Sequence, residues 1–212
     1  MSYRVLTITA QYGAGGAEIA SRIAAELGWN LLDRQLIDRI AALAHVPREL
    51  AASYDQQVDP WFRRLLRSVW RGGFEAVAAT SSGAPFDCDH MAELTRIAIR
   101  ESATIGNCVI VGRGGQCILR GRSDAFHVFI HAPLPQRALR VLSEVESRNE
   151  AEAAALADRI DQERVAFMRR YFNQDWYDPR LYDLMLNSRL GEESASAVVL
   201  CAMKLAGKRQ SA

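Results

Sequence analysis

The feature that most constrains the fold is a short β-branched run that leads directly into a glycine cluster near the start of the chain. Residues 4–9 read RVLTIT and are followed by Gly13-Ala14-Gly15-Gly16. Apolar residues then recur at helical spacing and stop at Gly28: Ile19, Ala20, Ile23, Ala24 and Leu27. This pattern predicts a strand, a tight glycine loop and an amphipathic helix, in that order.

Further apolar runs are predicted to complete a sheet around this first strand. They lie at residues 29–32, 108–111, 126–130 and 183–187. Runs that are apolar on both faces are typical of buried parallel strands. Helical patterns are found at residues 134–146, 150–171 and 193–205. We therefore expect a three-layer α/β/α fold with a five-stranded parallel sheet and the first strand in its middle.

Composition excludes several other classes of protein. The 212 residues carry 26 Lys and Arg against 25 Asp and Glu, a formal net charge of +1, so a dedicated nucleic-acid binder is not expected. The four cysteines form no C-x-x-C pair, and no His spacing is typical of a metal site. Because no signal peptide or membrane-spanning run is evident, we expect a cytoplasmic protein with reduced thiols and no membrane partner.

The loop after the first strand is the first candidate site. Ligands of open parallel sheets bind at the carboxyl ends of the strands, and glycines before a helix let consecutive backbone N–H groups face an anion. The candidate phosphate-binding residues are Gly13, Ala14, Gly15, Gly16, Ala17 and Glu18. Aligned with G-x-x-x-x-G-K-[ST], however, the loop has Gly16 at the lysine position and Glu18 at the Ser/Thr position. Two interpretations stay open, an anion site and a structural strand-to-helix turn.

Motifs along the whole chain extend this interpretation. They are the stretch from Ile8 to Arg39 with Leu31-Leu32-Asp33, Val111-Gly112-Arg113-Gly114, Val128 to Pro133, Asp161-x-x-Arg164, Tyr171-Phe172, Asp175-Trp176, and Asp178 to Asn187. In order and spacing they resemble the cytidylate kinase-like family of P-loop nucleoside monophosphate kinases. The resemblance extends from about residue 3 to residue 205.

The resemblance implies a P-loop kinase-like fold in a single domain over residues 1–212. It would have a helical monophosphate-binding insert at 47–104 and a lid at about 150–180. It also implies ATP and Mg²⁺ as cofactors and a small nucleotide, CMP-like, as acceptor. Family members usually carry Ser-Arg after the first strand and often Arg after the glycine pair, whereas this chain has Ala10-Gln11 and Ala17. A nucleotide-binding protein without turnover and a kinase of another phosphorylated metabolite therefore remain alternatives.

Arginines are the candidate catalytic residues. Arg113 stands between glycines directly after a buried strand, where a planar bidentate donor suits phosphate. Arg164 and Arg170 lie on the long predicted helix, and the resemblance implies that they belong to the lid. Asp161 precedes Arg164 by three residues, so a surface ion pair on the helix is the alternative for Arg164. Phosphoryl transfer needs cations around the migrating group. We therefore expect the three arginines to converge at the carboxyl edge of the sheet.

Candidate substrate-binding residues follow the second strand. Asp33 is predicted either to contact a base or sugar, or to cap the following helix. Arg34 and Arg39 come after it, and the resemblance implies that Arg39 holds the acceptor phosphate; a solvent-exposed surface arginine is the alternative. Arg113 is a candidate for the acceptor as well. The sequence identifies no metal ligands and does not define an oligomeric state.

Overall fold

The structure is a computed structural model that describes residues 3–32, 39–40, 42–43, 88–144 and 149–209. The chain divides into two compact units, residues 1–33 with 99–212 and residues 34–98. Most of the expected insert at 47–104 lies outside the described residues. The first unit contains the sheet, and the site described below is built within it.

The sheet of the first unit has five parallel strands. In chain order these are β1 (Val5–Ala10), β2 (Asn30–Leu32), β3 (Cys108–Val111), β4 (Ala125–His131) and β5 (Leu184–Asn187). Their order across the sheet is β2-β3-β1-β4-β5, so β1 lies in the centre. The expected parallel topology and central first strand are confirmed.

The structure defines the bounds of six helices within the described ranges. They are α1 (Gly16–Leu27), α2 (Cys88–Ile105), α3 (Gly115–Ile118), α4 (Leu134–Glu144), α5 (Glu150–Phe172) and α6 (Glu192–Arg209). Short 3₁₀ turns occupy Pro179–Leu181 and Ser188–Leu190. Within the described ranges, no helix combines the length and apolar character that crossing a membrane requires.

Alternation along β1 and β4 creates two buried faces, as the period of two in a strand requires. Leu6 and Ile8 belong to a core cluster with residues of α1 and α6. On β4, Phe129 instead belongs to a cluster with Met168 of α5, Trp176 and Leu181. Because both faces are covered, the fold has three layers, and the apolar character of the central strands β1, β3 and β4 follows from their burial.

The two helices that frame the site begin and end for identifiable reasons. After α1, Gly28 adopts a left-handed conformation with φ of 64°, and its N–H bonds back to the last turn. Asn149 caps α5 because its side chain accepts the N–H of Glu152 at 3.0 Å, and Asn173 ends it with φ of 52°. Full burial of Ile19 and Ile23 on α1 contributes roughly 1.5–3 kcal/mol per side chain.

Candidate active site

The glycine loop makes a tight turn between the centre of the sheet and α1. Gly13 and Gly15 have φ of 75° and 76°, which glycine adopts without the steric cost that a Cβ brings. The Ala14 N–H bonds the Gln11 carbonyl at 3.0 Å, and α1 begins at Gly16. The N–H groups of the first helical turn lack intrahelical acceptors, so the loop offers donors and the positive end of a helix dipole at the carboxyl edge of β1.

Close packing gives a second reason for two of the glycines. A Cβ on Gly16 would overlap the Ala10 Cβ. A Cβ on Gly13 would lie 2.7 Å from the Arg137 carbonyl oxygen of α4. Part of the glycine pattern therefore reflects packing. Gly15 differs because the group against it is a cation, the Arg140 guanidinium.

The residue just before the glycines is held by a buried ion pair that the sequence analysis did not identify. Asp161 of α5 accepts the Tyr12 N–H at 2.8 Å and the Arg137 Nη1–H at 2.7 Å. Arg137 also donates to the carbonyl oxygens of Tyr12 at 3.0 Å and Ala132 at 3.1 Å. The two side chains are only 7% and 5% exposed. We call Arg137, Asp161 and the Tyr12 peptide groups the loop clamp.

Opposing effects act on the Asp161 carboxyl of the loop clamp. Burial has the largest effect and raises the pKa of this carboxyl above its usual value, while the hydrogen bond from the Tyr12 N–H and the charges of Arg164 and Arg137 oppose the shift. These donors meet both carboxylate oxygens, so the arrangement suits the ionised form. The clamp connects the loop, α4 and α5 at one point.

Arg164 lies on α5, the long helix on which the sequence predicted lid arginines, and its guanidinium contacts the residues just before the glycine loop. Its Nη1 donates to the Ala10 carbonyl at 2.7 Å and lies 3.5 Å from Asp161 Oδ1. The guanidinium carbon is 5.7 Å from the Tyr12 ring centroid and 5.9 Å from that of Trp176. Its buried Nε has no hydrogen-bond partner among the described residues. Burial lowers the pKa of Arg164, and Asp161 opposes the shift.

Arg113 lies just beyond β3, the neighbour of β1. It is 6% exposed, has a left-handed φ of 52°, and its Nη1 is 3.5 Å from the Val111 carbonyl oxygen. A Cβ on the adjacent Gly114 would overlap the ring of Phe172, the last residue of α5. The end of α5 therefore packs on the Arg113 turn. Arg113 and Arg164 thus lie at the carboxyl ends of adjacent strands.

Arg170 is not brought together with these two. It is exposed and its guanidinium carbon lies 5.1 Å from the Tyr171 ring centroid. Six residues separate it from Arg164, which corresponds to a rotation of about 240° around an α-helix. Its proposed role in a lid stays a prediction.

Two of the four predicted acceptor residues fall outside the region that the structure describes. Asp33 and Arg34 are not among the described residues, so their placement stays a prediction. Arg39 is helical, half-buried and part of the second unit. Of the described residues, no group of three or more His, Cys, Asp or Glu side chains is arranged to hold a metal ion.

A buried polar chain behind the loop also went unrecognised in the sequence. Thr9 Oγ1 donates to Gln116 Oε1 at 3.0 Å, and Gln116 Nε2 lies 3.3 Å from the Tyr182 hydroxyl. That hydroxyl donates to the Trp176 carbonyl at 2.7 Å. The chain links β1, α3 and the segment after α5. The sequence could have indicated Arg137 and Arg140 as candidate site residues, because they lie one turn apart on the helix that follows β4.

Solved structures with the same architecture define the class of fold. A crystal structure of an uncharacterized protein from Eubacterium ventriosum ATCC 27560 has a TM-score of 0.67 at 19% identity, with 94% of this chain and 98% of that one covered. A gluconokinase from Sinorhizobium meliloti 1021 gives 0.55 at 11% identity, covering 99% and 97%. Shikimate kinase from Bacteroides thetaiotaomicron gives 0.53 at 16%, covering 94% and 98%. The chain has a P-loop kinase fold.

The family follows from the sequence match. The model of the cytidylate kinase-like family matches residues 5–190. The chain belongs to this family, as the resemblance indicated. No curated protein matches the sequence significantly.

Proposed function

We propose that the protein transfers a phosphoryl group from ATP to a small acceptor, a nucleoside monophosphate of the CMP type. The observation that carries the proposal is the glycine loop at the carboxyl end of the central strand, with Arg164 and Arg113 at the same edge of the sheet. Family membership and the kinase fold support it.

The loop residues fit the phosphates of ATP. Backbone N–H groups at the start of a helix favour anions, and Glu18 offers Mg²⁺ a carboxylate oxygen beside them. Mg²⁺ is commonly held by one or two carboxylates together with substrate phosphates, and the Glu18 side chain is 44% exposed. When bound, ATP supplies the transferable phosphoryl group and Mg²⁺ neutralises part of its charge.

The chain's own residues would position the reactants and neutralise their negative charge, which is most of what phosphoryl transfer requires of a protein. The loop clamp fixes the Tyr12 peptide groups from which the loop starts. Arg113 and Arg164 provide buried positive charge that would stabilise the transferring group. Loss of a preorganised cation such as the loop lysine costs on the order of 3 kcal/mol, about a hundredfold in rate.

A second candidate, a nucleotide-binding protein without turnover, is favoured by one observation. Glu18 stands at the position of the hydroxyl residue and Gly16 at that of the lysine. Without a metal, a carboxylate at this position repels phosphates. The two candidates differ in turnover and agree on binding.

A coupled ADP-release assay tests the proposal with purified protein, ATP, Mg²⁺ and an acceptor. CMP, dCMP, UMP, AMP and shikimate are compared, the last because two structural neighbours are shikimate kinases. The expected result is turnover that depends on a nucleoside monophosphate. Turnover with shikimate alone would move the proposal to another acceptor class, and ATP binding without any turnover would support the second candidate.

Arg113→Ala provides the matched test of the site. Both residues carry a Cβ, so the cost of the left-handed backbone is unchanged, and the loss reports on the guanidinium. We expect at least a tenfold loss of kcat/KM, equal to about 1.4 kcal/mol of transition-state stabilisation. Arg159→Ala, at an exposed position of α5, is the control. Equal activity of both variants would remove Arg113 from the site.

A further inference from the structure

Arg140 of α4 lies directly against the glycine loop. The Cζ, Nη1 and Nη2 atoms of its guanidinium are each 3.1 Å from the point that a Gly15 Cβ would occupy. Equal distances to all three atoms mean that the guanidinium plane faces Gly15. A side chain at position 15 would displace the guanidinium, so glycine there lets a cation reach the loop backbone.

Two carboxylates from different helices hold this cation in place. Arg140 Nη1 donates to Glu192 Oε1 at 2.6 Å, at the start of α6. The same nitrogen is 3.8 Å from Glu18 Oε2 in the first turn of α1. The side chains of Arg140 and Glu192 are each 31% exposed. Because the side chains of this pair remain partly accessible to solvent, an anion of higher charge can reach the guanidinium and compete with either carboxylate.

The position of Arg140 supplies the positive charge that the loop itself lacks. The loop has no lysine, and Glu18 places a negative charge where phosphates would bind. A cation beside both Gly15 and Glu18 offsets that charge and remains in reach of an anion held by the loop N–H groups. Its planar fork can also bind two phosphate oxygens at once, as an ammonium group cannot.

We propose that Arg140 is the phosphate-binding cation of the loop, serving in place of the loop lysine, and that polyphosphate displaces Glu192 and Glu18 from it. The identity of the ligand as the polyphosphate of ATP rests on the proposed function. In the absence of the anion the two carboxylates keep the guanidinium at the loop. Glu192 is therefore a competitor for Arg140, not a support for phosphate binding.

Calorimetric titration without Mg²⁺ tests this proposal, with inorganic tripolyphosphate and ATP as probes. Arg140→Ala is expected to weaken both by about tenfold or more, since hydrogen bonds between charged groups contribute roughly 1.5–3 kcal/mol. Arg140→Lys should recover part of the affinity, because it restores the charge without the fork. Arg159→Ala should bind as the parent does. Thermal unfolding of each variant confirms that it is folded.

Glu192→Gln gives a readout that a structural role of the ion pair would not produce. Loss of the competing charge should tighten tripolyphosphate binding relative to the parent. If Glu192→Gln weakens binding as Arg140→Ala does, the displacement is wrong. If the parent turns over ATP and Arg140→Ala binds both probes as tightly as the parent does, Arg140 is not the loop cation. The proposed kinase activity is then unaffected. A parent that binds neither probe overturns both.

Discussion

Replacement of Asp161 by alanine should destabilise the protein more than any exposed charge substitution. The carboxylate accepts hydrogen bonds from the Tyr12 N–H at 2.8 Å and from Arg137 at 2.7 Å, and Arg164 lies 3.5 Å away. Its removal leaves the Arg137 guanidinium, whose side chain is 7% exposed, without its counter-charge. The perturbation therefore acts through an uncompensated buried cation.

The magnitude follows from burial. Removing one partner of a buried ion pair costs about 3–5 kcal/mol, and that figure includes the roughly 1–3 kcal/mol for an unsatisfied buried donor such as the Tyr12 N–H. Asp161→Asn keeps an acceptor for Tyr12 but faces Arg137 with a neutral amide, so a loss of about 1.5–3 kcal/mol is expected. Glu93→Ala is the control, because Glu93 pairs with Arg96 at 3.5 Å with side chains 56% and 32% exposed. Such a pair contributes about 0–1 kcal/mol.

Equilibrium unfolding in urea at pH 7, followed by circular dichroism and tryptophan fluorescence, measures these differences. The urea midpoint should be highest for Glu93→Ala, lower for Asp161→Asn and lowest for Asp161→Ala, and the three m-values should be similar. If Asp161→Ala lies within about 1 kcal/mol of the Glu93→Ala control, the carboxylate is not a buried counter-charge. The account of the loop clamp would then be wrong.

Two further predictions concern the loop and the pH dependence of stability. Gly16→Ala should lower the free energy of unfolding by about 1–3 kcal/mol, because the new methyl group overpacks against the Ala10 Cβ. The added substitution Ala10→Gly should restore the urea midpoint. A double variant no more stable than the single one would contradict the steric argument. Burial lowers the pKa of His127 below 6.5, with Asp183 opposing the shift, and His127 Nδ1 is 2.8 Å from the Thr7 hydroxyl. The unfolded chain therefore takes up the proton first as the pH falls, and the contribution of neutral His127 to stability is lost progressively below about pH 6.5. His127→Gln should reduce the difference between urea midpoints at pH 7.5 and 5.5, and parallel profiles of parent and variant would exclude His127 as a source.

The sheet could be predicted from the sequence because its signals are local. Each strand is a short, largely apolar run, and the three central strands β1, β3 and β4 are buried over most of their length, which favours apolar residues on both faces. The strand and helix ends differ from expectation by one or a few residues, as at β5, which begins at Leu184. The expected position of β1 in the centre of the sheet is confirmed by the strand order.

The site was predictable in part, and the limit is the range of the contacts. The loop and Arg113 were found because each directly follows a strand. Asp161 and Arg164 were considered as a helix-surface pair or part of a lid, since a spacing of three says nothing of burial. The clamp joins Tyr12 to a residue 149 positions away, and only the tertiary arrangement brings them together. The same holds for Arg140 and Glu192, which are 52 positions apart.

The hydrogen bonds of Arg137, Asp161 and Arg164 with the start of the loop all go to peptide atoms. They involve the Ala10 carbonyl and the N–H and carbonyl of Tyr12, groups that nearly every amino acid supplies. The side chains at positions 10 to 12 are consequently free to vary in evolution as far as these bonds are concerned, provided that position 12 is not proline and position 10 stays small beside Gly16. Selection on this arrangement falls instead on three distant helical positions, where a change of residue type would break bonds that no backbone can replace.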